Sequence, residues 1–337
     1  MFTRTGGQGG VAVARRSLAD PSIGEVLRLL SAGAPGEILL ALREGSMQTK
    51  VLTHSVKGYT PRTIYRYLSK LAEIDLVERD DSPDGSARVA YALRKESGEE
   101  LAALIDRFAA ASMTRLPGGQ IDSTDWTALG LLADLWEAGV VEALSQEPTS
   151  PTELARSLGA LSYHQLNRRA NRFKACGFFS GWRQSRQQRQ CYALTAKVRR
   201  TMGLVVGVGR WRQRHSPNAG AGLTTAEMGT ALRALLPLAK VPRHAGKGAR
   251  LRIEDLDSRI QVWVEVAGDG TVDCRKSVGA RLDAWAGGEV EEWTTALLDG
   301  GPWPAAGGDA DLVGDCLDSL YKELWKPGAI PLEKVGD

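Results

Sequence analysis

The residues of this chain whose types and spacing suit chemistry are mostly arginines. At 100° per residue, Leu166, Ala170 and Phe173 fall on one side of a helix, opposite Gln165, Arg168, Arg169 and Arg172. Earlier in the chain Ile64, Leu68 and Leu71 lie opposite Arg62, Tyr65, Arg66 and Ser69. Arginine reads guanine edges bidentately or grips phosphate, glutamine reads adenine, and Ser or Tyr hydroxyls reach phosphates. A later stretch, Arg183-Gln-Ser-Arg186-Gln-Gln-Arg189, carries three more arginines at a turn, suited to a DNA backbone or minor groove. The chemistry expected of these sets is recognition of double-stranded DNA.

Catalytic patterns are weak by comparison. The four histidines have no i,i+4 partner and no HExxH, and no GxSxG surrounds a serine. Gly203-x-x-x-Gly207-x-Gly209 lacks both the Lys-Ser/Thr of a phosphate loop and a preceding strand, so helix packing accounts for it better. Neighbouring carboxylates such as Glu291-Glu292 read as surface. No catalytic residue, metal site or cofactor is expected, and the chain reads as a non-enzyme.

Net charge is +3, from 43 Lys+Arg against 40 Asp+Glu over 337 residues, which alone argues for no particular partner. By thirds it is not neutral. Residues 1–120 carry +2, residues 121–220 carry +7 and residues 221–337 carry −6. Between Glu153 and Glu227 there are 14 Lys/Arg and no Asp or Glu, a field of one sign that draws polyanions. The plainer alternative is a solvated basic face. The longest apolar runs are too short to span a bilayer. The N-terminus puts its basic pair after a weak apolar run, the wrong order for a signal peptide. Four cysteines, widely spaced, suggest neither a disulfide framework nor structural zinc, so a reducing cytoplasm is the default.

The elements that must position these arginines occur twice. Glu37–Leu42 aligns with Gly139–Leu144. Ile64, Leu68, Leu71, Ile74, Leu76 and Val77 align with Leu166, Ala170, Phe173, Cys176, Phe178 and Phe179, and Tyr91-Ala-Leu93 with Tyr192-Ala-Leu194. In the first copy helices are expected at Gly36–Gly45 and Ser46–Ser55. A third starts at Thr60-Pro61, with Thr60 as N-cap, and runs to about Asp75. A hairpin of Leu76–Arg79 and Arg88–Leu93 turns at Asp80–Gly85, and a helix follows over Ser97–Ala111. In the second copy Trp126–Ser145 reads as one long helix, Ser150-Pro-Thr-Glu153 is a capping box, and Ser162 caps the third helix. Phe178–Arg183 with Arg189–Leu194 form its hairpin. Three helices and a hairpin make a winged helix-turn-helix, whose third helix enters the major groove. The first wing carries Asp80, Asp81 and Asp84, leaving only Arg88 suited to phosphate, so the second copy is expected to dominate affinity.

Gly36–Arg107 resembles HxlR-type winged helices, in the run TPRTIYRYLSKLAEIDLVER and the later YALRKESGEEL. It departs in having Asp75 where the family usually has Gly, and Arg94 where it has Thr. The second copy keeps Gly177 and Thr195 but has Tyr163-His164 in place of the Pro-Arg pair. The resemblance implies a bacterial transcription regulator, usually a homodimer.

After a linker at His215–Gly222, the acidic third is expected to hold a helix at Thr225–Leu238. Four short strands in a meander follow, around Leu251/Ile253, Ile260–Val266, Val272/Cys274 and Leu282/Ala284. Helices over Glu289–Leu298 and Asp311–Trp325 complete it, an antiparallel sheet packed with helices. Strand parity sends Trp263 and Trp285 away from the core. The order resembles sterol-carrier-protein-like domains, which implies an apolar-ligand cavity between sheet and helices. Val262, Val264, Cys274, Leu282, Trp293, Leu297 and Trp303 are its candidate lining. Filling a core or an interface is an equal alternative for the tryptophans.

The fold class expected is mainly α with α+β: a disordered tail over 1–22, winged helix-turn-helix domains over 23–114 and 122–212, and an α+β domain over 224–328. The function expected is a DNA-binding regulator whose operator affinity responds to an apolar or aromatic small molecule in the last domain. One rival is a DNA-binding regulator whose last domain only oligomerises or recruits protein. Another is a carrier or enzyme for a lipid-like molecule.

Overall fold

The computed structural model describes residues 21–81, 89–117, 119–159, 170–182, 191–216, 222–254, 258–275 and 282–325. Helices and sheets are mixed. The first helix, α1 (Ile23–Ser31), starts at a reciprocal capping box between Ser22 and Glu25, a local signal not used in the sequence reading. Then come α2 (Ala34–Leu42), β1 (Met47–Gln48), α3 (Thr49–Ser55), α4 (Pro61–Glu73), the hairpin β2 (Val77–Asp81) with β3 (Val89–Leu93), and α5 (Ser97–Ser112). Strand order is β1-β3-β2.

The expected long helix over Trp126–Ser145 is two helices, α6 (Ser123–Glu137) and α7 (Val140–Gln146). Gly139 breaks them, with φ +68°, a conformation only glycine adopts without strain. Next are α8 (Pro151–Leu158), α9 (described over 170–175), the hairpin β4 (Phe179–Trp182) with β5 (Cys191–Leu194), and α10 (Ala196–His215).

Local geometry recurs between the two stretches. Leu76 N donates to Leu71 O at 2.9 Å and Phe178 N to Phe173 O at 2.8 Å. Arg94 N donates to Leu76 O at 2.9 Å and Thr195 N to Phe178 O at 3.1 Å. Met47 pairs with Tyr91 and Thr149 with Tyr192. Asp75 and Gly177, directly before Leu76 and Phe178, both have positive φ, +55° and +70°.

The last part comprises α11 (Thr225–Leu235), β6 (Gly248–Glu254), β7 (Arg259–Val266), β8 (Val272–Arg275), β9 (Ala284–Glu289), α12 (Val290–Asp299), β10 (Ala305–Gly308) and α13 (Ala310–Trp325). Its sheet is not the expected four-stranded meander. It has five strands in the order β10-β9-β6-β7-β8, and β9 returns past the hairpins to lie parallel to β6. Alternation in a strand reports which face is buried, not which strand lies beside it, so the crossover and β10 escaped the sequence. The helix expected over Thr225–Leu238 leaves α geometry at Leu236, where Pro237 removes a donor and the last turn becomes a 3-10 helix.

One continuous apolar core joins the parts. α1 packs along α6, and α10 packs against α5 on one side and α11 and α12 on the other. Gly207 lets α10 approach α5 closely: a Cβ there would lie 2.5 Å from the Leu104 methyls. Trp211 Nε1 donates to Ser97 O across the same contact, at 2.8 Å. Arg107 of α5 reaches into the last part, donating to Leu298 O and to the Tyr321 hydroxyl at 2.7 Å, with its guanidinium 4.2 Å from the Trp325 ring centre.

Candidate nucleic-acid interface

Helix α4 is fixed at its start by Thr60, whose hydroxyl accepts from Thr63 N at 3.2 Å, and by Pro61 in the first turn. Ile64, Leu68 and Leu71 are fully buried against the rest of the first unit. That fixes the rotation of the helix, and Arg62, Tyr65, Arg66 and Ser69 all stand exposed on the other side, Tyr65 at 51%. Arg62 makes no ion pair among the described residues. The Arg66 guanidinium lies 4.7 Å from the Tyr67 ring centre and Lys70 Nζ 5.7 Å from it, so the same ring flanks two cations.

The sequence reading missed the contribution of α3. Lys50 and His54 on α3, Lys57 in the turn, and Lys70 on α4 are exposed as well. Their signal was simply that three lysines and a histidine fall in the twenty-odd residues around the third helix. Near the wing, Arg94 lies 3.6 Å from Glu78 and 3.9 Å from Asp75, which offsets two of the carboxylates at its base.

In the second stretch, Ser150 and Glu153 form the expected capping box on α8. Ala170 and Phe173 of α9 are buried, Phe173 against Phe179 with ring centres 5.2 Å apart, and Phe179 stacks on Tyr192 at 5.5 Å. Arg172 is exposed on the outer side of α9. Arg88, Ser162, Gln165, Arg168, Arg169, Arg183, Arg186 and Arg189 lie outside the described residues.

The basic window loses part of its charge to internal contacts. Lys197 pairs with Asp125 at 3.0 Å, Arg200 with Glu323 at 3.3 Å and Arg210 with Asp299 at 2.7 Å. Arg214 meets Glu100 at 3.0 Å, beside His215 on the same carboxylate at 2.8 Å. Arg199 donates to Ala234 O at 2.8 Å, and burial lowers its pKa from the ordinary arginine value. These are α10 residues, and they hold the helix to its neighbours. The arginines of the second helix-and-wing stretch are a different set.

The candidate ligand-lining residues of the last part divide. Val262, Val264, Trp293 and Leu297 are buried to within about 1% of full closure, and Trp293 Nε1 donates to Arg252 O at 3.2 Å. Burial pushes the Cys274 thiol up to about 12. Trp303 Nε1 donates to Asp318 at 3.1 Å. Leu282 is a correction: it precedes β9 and is 40% exposed, so it does not face inward with the others. Trp285 points outward at 40% exposure, and the Arg250 guanidinium sits 5.7 Å from the Trp263 ring centre on the same outer face.

A capped, amphipathic third helix followed by a small hairpin defines the class of this first unit: a winged helix-turn-helix. Residues 35–117 match the family described as HxlR-like helix-turn-helix, which suggests a DNA-binding transcription regulator. No curated protein and no solved structure matches the chain. Among the described residues, no helix is long and apolar enough to cross a membrane, and no three His, Cys, Asp or Glu side chains are grouped to hold a metal.

Proposed function

We propose that the chain is a transcription regulator that reads double-stranded DNA with two winged helices in tandem, over 23–114 and 122–212. The observation that carries DNA binding is the exposed α4 face of Arg62, Tyr65, Arg66 and Ser69, in the stretch that matches the family. The recurring hydrogen bonds of the two hairpins support the duplication.

The two units pack as the halves of a symmetric dimer do. Gly24 of α1 faces Glu137 of α6 and Ser31 faces Gly130, so these helices run antiparallel. Ser97 meets Trp211, Glu100 meets Arg210 and Leu104 meets Gly207, so α5 and α10 do the same. Each helix meets its own counterpart, the mark of an isologous contact. One chain thereby supplies both reading heads, and the surface that would otherwise recruit a second chain is used internally. The closed packing of Val262, Val264, Trp293 and Leu297 favours a holding role for the last part, over 224–328, above an effector between its sheet and helices.

Gel shifts against a random duplex pool, at two salt concentrations, test the reading. Salt-sensitive binding with one chain per selected site is expected. Two chains per site would overturn the tandem reading, and no salt-sensitive binding would overturn DNA recognition itself.

A further inference from the structure

The outer face of the last sheet carries an ordered row of side chains. Strand register sets Gly307, Trp285, Arg250, Trp263 and Arg275 side by side across β10, β9, β6, β7 and β8. The helices pack on the opposite face, where Leu251, Val262, Val264 and Ala286 are buried. Gly307 is the seat of the Trp285 indole, since a Cβ there would lie 2.7 Å from the ring. The ring is thus laid against the sheet while Trp285 remains 40% exposed. The Arg250 guanidinium lies 5.7 Å from the Trp263 ring centre and makes no ion pair among the described residues. Beyond the glycine, indole and guanidinium alternate along the row.

We propose that this face associates with the same face of a second copy of the chain. A two-fold axis parallel to the strands, passing between β6 and β7, sets the row against itself in reverse order. Trp285 then meets the partner's Arg275, Arg250 meets the partner's Trp263, and each contact occurs twice. Every cation of the row gains an indole from the other copy, and no two cations of the row meet. An axis across the strands would instead set Arg250 on the partner's Arg250. Arg275 already pairs with Glu265 at 3.0 Å, but a guanidinium bonds carboxylates at its edge and stacks by its faces. The carboxylates also decide against single-stranded nucleic acid as the occupant. Glu254, Glu265 and Asp273 share this face with the indoles and pair with its arginines, so no positive groove follows a phosphate backbone. Five strands about 4.8 Å apart and roughly 20 Å long make a patch at the low end for specific interfaces. The dimer is therefore a weak one, and each of its chains keeps its own pair of reading heads.

Sedimentation equilibrium of the full chain without DNA tests the association separately from DNA recognition. A monomer–dimer equilibrium with a dissociation constant on the order of micromolar is expected. Trp285→Arg should weaken it about tenfold, because two stacked contacts per dimer become like-charge contacts. Combining Trp285→Arg with Arg275→Trp again sets an indole opposite every cation of the row and should recover most of the loss. Both positions are exposed, and the equilibrium of the parent chain is a test that needs no variant to fold. A parent chain still monomeric at about 100 μM, a Trp285→Arg variant that dimerises as tightly as the parent, or a double variant that recovers nothing would each overturn the proposal.

Discussion

Arg62 and Arg66 are positioned by residues that never touch DNA. Ile64, Leu68 and Leu71 fix the helix rotation, and Thr60 with Pro61 fixes where it starts. Reversing both arginines to Glu is expected to lower affinity across all duplex sequences. It should also flatten the salt dependence by about 0.9 in log–log slope for each phosphate no longer neutralised. Reversing Arg168 and Arg172 should weaken binding further, since the first wing is acidic; gel shifts of the two double variants in parallel give the order, and the opposite order refutes it. Asp75 makes a separate residue-scale case. Its φ of +55° is sterically costly for any side chain, worst for a β-branched one. Asp75→Val should cost about 1–2 kcal/mol in a urea melt, whereas Asp75→Gly should be neutral or stabilising.

Helix α10 is the element on which the assembly turns. Its glycines made a poor phosphate loop in sequence, and in the structure they are points of close approach: Gly207 meets Leu104, Gly209 meets Leu223, and Gly203 meets Leu324 and Trp325. Gly207→Val is expected to destabilise the chain by about 1–3 kcal/mol through overpacking at the α5 crossing, read as a lower thermal midpoint. A nearly unchanged midpoint would show that the two helices can separate at no cost. The caps at Thr60 and Ser150, the buried sides of the third helices and the paired strands of the two hairpins were legible because each is a local pattern. The split of α6 from α7 was not, because apolar residues continue across Gly139 and only the connection to the next element requires the break.

At the scale of the whole molecule, the two units and the last part share one core rather than meeting through linkers. Arg107→Ala removes two hydrogen bonds and a stacked cation between α5 and the last part, and should cost about 2–4 kcal/mol. Proteolysis should then cut between the parts faster than in the parent; equal rates would show that the core alone holds them. Acid should act on the same architecture. Lys247 lowers the Asp309 pKa by a direct hydrogen bond, and the Thr124 backbone N–H and the Thr271 hydroxyl do so for Asp122 and Asp269. A carboxylate lowered in the folded state stabilises it above the unfolded pKa, here 3.8, and loses that contribution as pH falls through the folded value. Stability should therefore fall below about pH 4, and Asp309→Asn should blunt the fall; an identical acid limb would remove Asp309 from the account.

What the sequence determined by itself was local and periodic: the capped third helix, its buried and exposed sides, the hairpins, the recurring spacing and the outward parity of Trp263 and Trp285. Those follow from side-chain period, capping and turn chemistry, which act over a few residues. Only the tertiary structure decided which charges remain for a partner. The +7 of residues 121–220 and the −6 of residues 221–337 read in sequence as a basic reader and an acidic domain kept apart. In the fold, Arg200 and Arg210 of the one are bound to Glu323 and Asp299 of the other. Ion pairs between residues some 90 to 120 positions apart leave no periodic trace, because packing sets them rather than the spacing along the chain.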